Sequence, residues 1–367
     1  MQVVIKRETL LVPLQLVAGV VGRRQTVPVL ANLLLDVTGD ALKITGSDNE
    51  IEIGVSTTDF RSNGIDATTV SARKLLELWR NIPPGTEVEL DFDPRHLTVS
   101  FGRFRSSLAT IPAYEFPLVT VPTDGTAFSL PAELLRLLID RARIAMAQQD
   151  VRYFLNGMLF EVEAGSLRAV ATNGQRLAST LIPADVSVSD TRQFIIPAKG
   201  IIELARVLAS AEGEIKLHFS EQHLLATAGQ VTLISSLIDG KYPDYKRAIP
   251  ADTTVELEGN RRELRDALVR TAILSNEIYH QVVLALRPGE LVFRASNPLQ
   301  EEAEEVVNVV YDGDEVEMAF NLRYLLDAMD AMEGDRIRLQ AAGPAAPALL
   351  TDPADSRSLF VVSPMII

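Results

Sequence analysis

Three groups of charged residues recur at helical spacing. Arg73, Glu77 and Arg80 fall at i, i+4 and i+7; so do Arg136, Asp140 and Arg143, and so do Lys199, Glu203 and Arg206. On a helix each triple shares one face. Such a face can meet phosphate without reading bases, or it can be a solvated face whose ion pairs contribute about 0.3 kcal/mol each. The run Glu301-Glu302-Ala303-Glu304-Glu305 has carboxylates enough for a divalent cation. It lacks the alternating oxygen donors and the glycine of a calcium loop, so an acidic strand edge or an ion-pairing interface is the better reading. The four histidines, His96, His218, His223 and His280, stand at no metal-ligand spacing. No Gly-x-x-x-x-Gly-Lys loop, Gly-x-Gly-x-x-Gly turn or Gly-x-Ser-x-Gly elbow occurs. With no cysteine in the chain, disulfides and thiolate metal sites are excluded, which suits a reducing cytoplasm.

The elements that would position these residues repeat. Leu42, Leu167 and Leu291 each follow a turn and open an alternating strand, 125 and then 124 residues apart. The strands end in Ser47-Asp48-Asn49, Thr172-Asn173-Gly174 and Ser296-Asn297-Pro298. A second landmark keeps the same period: Ser71-Ala72-Arg73-Lys74-Leu75-Leu76, Pro197-Ala198-Lys199-Gly200-Ile201-Ile202 and Asn321-Leu322-Arg323-Tyr324-Leu325-Leu326. The period is too long for a solenoid and long enough for each unit to bury its own core. The expectation is an α+β chain of three tandem copies, each with two helices packed on antiparallel sheets, at 1–124, 125–251 and 252–367. Boundaries are read at Val121 to Thr126 and at Ile249 to Thr253. Helices are expected near 8–22, 71–81, 131–147, 197–210, 260–274 and 321–332. Ser71, Asn260 and Asn321 read as N-caps, and Pro131 and Pro197 as first-turn prolines. Glu87 to Phe92 and His96 to Phe101 read as a hairpin across Asp93-Pro94-Arg95.

The net charge of −14 over 367 residues argues against nucleic acid at first sight. Its distribution argues otherwise. The six helical windows, with the first extended to Arg24, hold 15 Lys+Arg against 9 Asp+Glu, so the remainder of the chain carries −20. Helices gathered on one side would present a basic surface while the rest stays acidic. The third copy is the weak member, with 10 cations against 21 carboxylates. Nothing resembles a signal peptide at the N-terminus, and Leu10 to Val21 is too short and too interrupted to span a bilayer.

Met146-Ala147-Gln148-Gln149-Asp150-Val151-Arg152-Tyr153-Phe154-Leu155-Asn156-Gly157-Met158 resembles the bacterial DNA polymerase III beta subunit family, the sliding clamps. So do Val170 to Ala178, Asp239-Gly240-Lys241-Tyr242-Pro243-Asp244-Tyr245 and the terminal Val361-Val362-Ser363-Pro364-Met365. The resemblance runs the full length. It implies a non-catalytic, cofactor-free processivity factor in the cytoplasm, a head-to-tail homodimer forming a six-domain ring around duplex DNA, without sequence specificity. It also implies a peptide groove between the second and third domains. Its partners would be DNA polymerase III alpha and other polymerases, the delta subunit of the clamp loader, and mismatch-repair and ligase-type clients.

Residues matching the family's groove are Leu155, Thr172, Gly174, Arg176, Leu177, Pro243, Arg247, Tyr279, Asn321, Tyr324, Val361, Val362, Pro364 and Met365. An apolar cleft rimmed by Arg176 and Arg247 would suit a short peptide with aliphatic or aromatic anchors. Those matching DNA-contacting positions are Arg24, Arg73, Gln149, Tyr153, Phe154 and Lys199. Ring closure would join Arg103, Arg105 and Leu108 to Ile273, Leu274, Glu301, Glu302, Glu304 and Glu305. The chain departs from the family pattern at Gln175, often histidine, at Ser363, and at Ile366-Ile367. At Ser106, often phenylalanine, it lacks an apolar anchor of the dimer contact. Competing readings are a diverged second-copy clamp, an acidic peptide-binding scaffold, and a hydrolase or metal enzyme with carboxylates at a domain junction.

Overall fold

The computed structural model describes residues 1–22 and 26–366, so Arg24 and Ile367 lie outside it. Six helices occur among the described residues: α1 (Arg7–Val20), α2 (Ala72–Asn81), α3 (Ala132–Ala142), α4 (Ala198–Leu208), α5 (Arg261–Ala272) and α6 (Leu322–Asp330). Each lies where an apolar stripe recurs with helical period. In α2 that stripe buries Leu75 and Trp79, and the Trp79 indole N–H donates to the Arg7 carbonyl at 2.8 Å.

The helix ends correct three expectations. Asn260 and Asn321 do cap: Asn260 Oδ1 accepts from the amides of Arg262 and Glu263, and Asn321 Oδ1 from that of Arg323. Ser71 makes no side-chain cap bond, because it closes the strand Asp66–Ser71 opposite Asn32. Pro131 and Pro197 likewise end strands, opposite Glu214 and Gly157, rather than opening helices. Both strands are outermost in their sheets, where a missing amide removes no ladder bond. Helix α3 stops at Ala142, short of the expected 147; a 3-10 turn over Arg143–Ala145 follows, and Ala147 donates back to Leu155.

The chain forms two compact units, residues 1–136 with 199–237, and residues 137–198 with 238–367. Both are built by one device. In the first, the strands of the hairpin region 214–236 continue the amino-terminal sheet, because Val231–Ser236 pairs antiparallel with Ile51–Thr57; thirteen strands result. In the second, Arg176–Pro183 pairs antiparallel with Asp355–Val362 to give eight strands. A separate four-stranded sheet orders Glu302–Asn308, Glu290–Ser296, Gln281–Arg287 and Val316–Asn321. Shifted by the repeat period, Ile51–Thr57, Arg176–Pro183 and Glu302–Asn308 are equivalent strands, as are Phe104–Pro112, Val231–Ser236 and Asp355–Val362. The expected hairpin is present, with Leu90 opposite Val99.

Much of the helical positive charge serves the fold. Arg136 donates to the carbonyls of Leu208 and Ala211 at the end of α4. Arg206 donates to the Leu16 carbonyl of α1, across the space left by the missing side chain of Gly19, and pairs with Glu203 at 2.7 Å. Arg261 donates to Met329 and Gly334 at the end of α6. Cations there complement the negative end of the helix dipole. Arg136 and Arg206 are therefore not members of open solvated faces, a correction to the triples read from spacing.

Candidate functional site

The groove residues implied by the resemblance all lie in the second unit and divide by burial. Leu155, Leu177 and Val361 are 2%, 4% and 3% exposed, packed with Tyr242 and Tyr245. Leu177 and Val361 are direct cross-strand partners, which accounts for their burial. The expected open apolar cleft is thus not made by these three, which belong to the core. Val362 is buried too, while Pro364 and Met365 are half-buried and Pro243 is exposed.

The polar part is an ordered network. Thr172 Oγ1 donates to the Arg176 carbonyl at 2.7 Å, and Asn173 Oδ1 accepts from the amides of Gln175 and Arg176. Gly174 holds this turn at φ +88°, where a side chain is strained and would also press on Arg152. Arg152 is fixed by Asp150 at 2.8 Å, and that guanidinium lowers the Asp150 carboxyl to about 2. Tyr324 of α6 crosses to the turn: its hydroxyl donates to Gln175 Oε1 at 3.0 Å and accepts from Asn173 Nδ2 at 3.3 Å. The Arg176 guanidinium lies 4.3 Å from the Tyr324 ring centroid and pairs with Asp327. Arg247 is exposed and pairs with Asp244 at 2.9 Å.

The segment after the last strand ties this region together. The Ser363 amide donates to Gln175, the Met365 amide donates to Ala319 at 2.7 Å, and Gln281 donates to the Ile366 carbonyl at 2.9 Å. Asn321 reaches the Tyr279 carbonyl at 3.5 Å, and the Tyr279 ring is 62% exposed. Below the 243–247 segment, Tyr245 donates to buried Glu161 at 2.9 Å, as does Gln193 at 2.7 Å, and burial pushes the Tyr245 hydroxyl up. Sequence reasoning missed Asn173, Asp327 and Gln281. Asp327 sits 151 residues from Arg176, so no local spacing signals the pair.

Of the other predicted residues, Arg73 is exposed on α2 with Lys74 and Arg80, and no ion pair engages them among the described residues. Lys199, in the first turn of α4, pairs with Asp48. Gln149, at φ +56°, and Tyr153, 57% exposed, lie on the loop after α3, with the Phe154 ring packed edge-on against Tyr153 at 5.6 Å. Arg103 and Arg105 are exposed, Leu108 is half-buried, and Phe104–Ala109 pairs on one edge only, with His96–Phe101. Glu302–Asn308 also pairs on one edge only, with Glu290–Ser296. Next to it Ile273 is 76% exposed and Leu274 half-buried. Glu304 pairs with Arg294 at 2.8 Å, Glu305 with Arg270, and Glu301 accepts from Asn297 at 2.6 Å; Glu302 has no partner among the described residues.

No helix among the described residues is long and apolar enough to cross a membrane, and no group of three or more His, Cys, Asp or Glu side chains there is arranged to hold a metal. Three like domains in tandem, fused through shared strand edges, define a protein of the sliding-clamp class. Family models for the N-terminal, central and C-terminal domains of the DNA polymerase III beta subunit match residues 1–120, 129–244 and 246–366. The beta sliding clamp of Pseudomonas aeruginosa is 45% identical over 367 residues and that of Escherichia coli 38% over 365, with both chains covered in full. The crystal structure of the Pseudomonas aeruginosa DNA polymerase III subunit beta superposes with a TM-score of 0.96 at 43% identity, covering 100% of both chains. A second, of a Pseudomonas aeruginosa sliding clamp bound to griselimycin, gives 0.97 at 44%, also covering 100% of both. The chain belongs to the DNA polymerase III beta subunit family, the sliding clamps that act as processivity factors in DNA replication.

Proposed function

We propose that two copies close head to tail into a six-domain ring, with domains at 1–124, 125–251 and 252–367, that encloses duplex DNA and tethers polymerases to it. One observation carries the reading. The chain makes the same strand junction twice, Ile51–Thr57 with Val231–Ser236 and Arg176–Pro183 with Asp355–Val362. The two strands that would make it a third time, Glu302–Asn308 and the 104–109 stretch of Phe104–Pro112, leave an edge unpaired among the described residues, while 110–112 pairs with Asp66–Ser71. Open edges of this kind invite pairing with another chain. A junction between unlike ends closes into a ring when the rotation is right. Arg103 and Arg105 opposite Glu301 and Glu302 would set the pairing by opposite charge, with Leu108, Ile273 and Leu274 as apolar contacts.

Enclosure lets individual phosphate contacts stay weak, so the ring slides while it cannot leave sideways. Arg24, Arg73, Lys199 and Gln149 would contact the duplex, with Tyr153 and Phe154 beside them. Clients would dock at Tyr324, Arg176, Pro364 and Met365, with Leu155, Leu177 and Val361 supporting them from the core. The clamp loader's delta subunit, polymerase III alpha and repair clients would share that groove, one per protomer. The protein would work in the cytoplasm with no reaction of its own, so ring opening depends on the loader. The test is retention on nicked circular DNA against the same DNA linearised. Loader-dependent retention on the circle with escape after linearisation is expected; equal retention on both rejects enclosure.

A further inference from the structure

Of the described cations that the DNA reading assigns to the duplex, Arg73 has no ion pair among the described residues and Lys199 has one, with Asp48. The two partners are not alike. Asp48 closes the turn between the strands Ala41–Ser47 and Ile51–Thr57. Its Oδ1 accepts from the amides of Glu50 at 3.0 Å and Ile51 at 2.8 Å, and its own amide donates to the Ile51 carbonyl at 3.1 Å. This turn is fastened to the strand Val231–Ser236, because the Ser236 amide donates to the Glu50 carbonyl at 2.8 Å. With Oδ1 engaged by the backbone, Oδ2 is the atom that meets the Lys199 ammonium. The Asp48 side chain is 8% exposed and that of Lys199 is 44% exposed. The carboxylate is therefore fixed, while the ammonium ends a flexible four-carbon stem that reaches water. Glu203, one helical turn further along α4, is buried and engaged by Arg206 at 2.7 Å.

We propose that Asp48 is an internal competitor for phosphate: it holds Lys199 when no DNA backbone is near, yields it when one passes, and so limits how tightly each protomer grips the duplex. The inference rests on the reading of Lys199 as a DNA contact. A phosphate that meets Arg73 gains a whole charge pair. One that meets Lys199 gains only the difference between two pairs, since the contact with Asp48 must break first. Asp48 also repels the incoming phosphate. Exchange between a carboxylate and a phosphate of like charge is close to balanced, so Lys199 can pass from one phosphate to the next without a deep well at any of them. Weak, quickly exchanged contacts are what a sliding ring needs.

The test measures the affinity of the intact chain for a short labelled DNA duplex, which can thread a closed ring without a loader, over a series of salt concentrations. Asp48→Asn removes the charge and keeps Oδ1 as the acceptor of the turn, so the thermal midpoint is expected to hold. This variant is expected to bind the duplex about five-fold more tightly at low salt. The slope of log affinity against log salt should steepen by about one per protomer, for the phosphate that Lys199 then neutralises. Asp48→Ser, which also keeps an acceptor for the turn, should give the same gain. In a Lys199→Gln background, Asp48→Asn is expected to change little, because the cation it would release is gone. No gain from Asp48→Asn or Asp48→Ser, while Lys199→Gln weakens binding, overturns the competition and leaves the DNA contact standing. An equal gain with and without Lys199 assigns the effect to net charge and overturns it as well. If Lys199→Gln lowers the thermal midpoint and leaves duplex affinity unchanged, the pair is a strut, and both the DNA contact at Lys199 and the competition fall.

Discussion

Asp355 shows how a residue remote from any client can hold the second unit together. Its carboxylate pairs with Arg357 at 2.6 Å and with Arg141 at 2.8 Å, and Arg141 is buried. Those guanidinium groups, Arg357 first, hold its carboxyl well below the ordinary carboxylate range. A depressed folded-state value means stability that is present at neutral pH and lost as pH falls below the unfolded value near 4. Asp355→Asn leaves Arg141 with the Ser358 hydroxyl at 3.1 Å and, as its remaining carboxylate among the described residues, Glu333 at 3.6 Å. It is expected to cost about 2–4 kcal/mol at pH 7 in urea denaturation, and less at pH 3; a penalty that does not shrink with acid removes the electrostatic explanation. Arg176 belongs to the same scale. Held by Asp327 and laid over Tyr324, it orients the ring that the groove reading assigns to client contact. Asp327→Ala frees it and is expected to weaken an apolar peptide by about three- to ten-fold, the equivalent of roughly 1 kcal/mol. Equal affinity in the variant by titration would show that the ring needs no such support. The pairs Arg141–Asp355 and Arg176–Asp327 were invisible in the sequence because they join residues 214 and 151 positions apart, and nothing local to Arg141 or Arg176 distinguishes a paired arginine from a solvated one.

At the scale of elements, legibility follows the range of the forces involved. Helix existence was legible because the apolar period and the caps are local. Asn260→Ala is expected to cost about 1 kcal/mol, since it removes the acceptor of two amides. Ser71→Ala is expected to cost markedly less, because Ser71 caps nothing; similar losses for the two by thermal denaturation would reject the assignment. Helix ends were less legible, since Pro131, Ser71 and Pro197 are claimed by strands whose partners, Glu214, Asn32 and Gly157, come from elsewhere in the chain. The i, i+4, i+7 triples were legible as helix faces, but not in their use. Whether Arg206 faces water or a carbonyl depends on Gly19, which leaves room for it 187 positions away. The burial of Leu177 and Val361 was illegible for the same reason: alternation in Arg176–Pro183 says which side chains share a face, not that Val361 will cover Leu177.

At the scale of the whole molecule, the period of about 125 residues written in the sequence becomes a junction made twice and left open once. The charges at the open ends are unequal to the task in one respect. Glu304 and Glu305 are already engaged by Arg294 and Arg270, and the pairing with Arg270 lowers the Glu305 carboxyl. Glu302, without a partner among the described residues, and Glu301 are then the carboxylates available to a second chain's Arg103 and Arg105. With Ser106 in place of a larger apolar side chain, the junction gains little from burial, and its strength leans on charge. Arg105→Glu is therefore expected to raise the dimer dissociation constant about ten-fold at low salt, seen in sedimentation as a shift from twice the 40.2 kDa chain mass towards the single chain. Adding Glu302→Arg to the same chain restores opposite charge across the junction and should recover the dimer. Ser106→Phe should strengthen it with little dependence on salt, since buried apolar area is not screened. If Arg105→Glu leaves the mass unchanged at every salt concentration, the open edges are joined by their backbones and apolar side chains alone, and the acidic run has no part in the choice of partner.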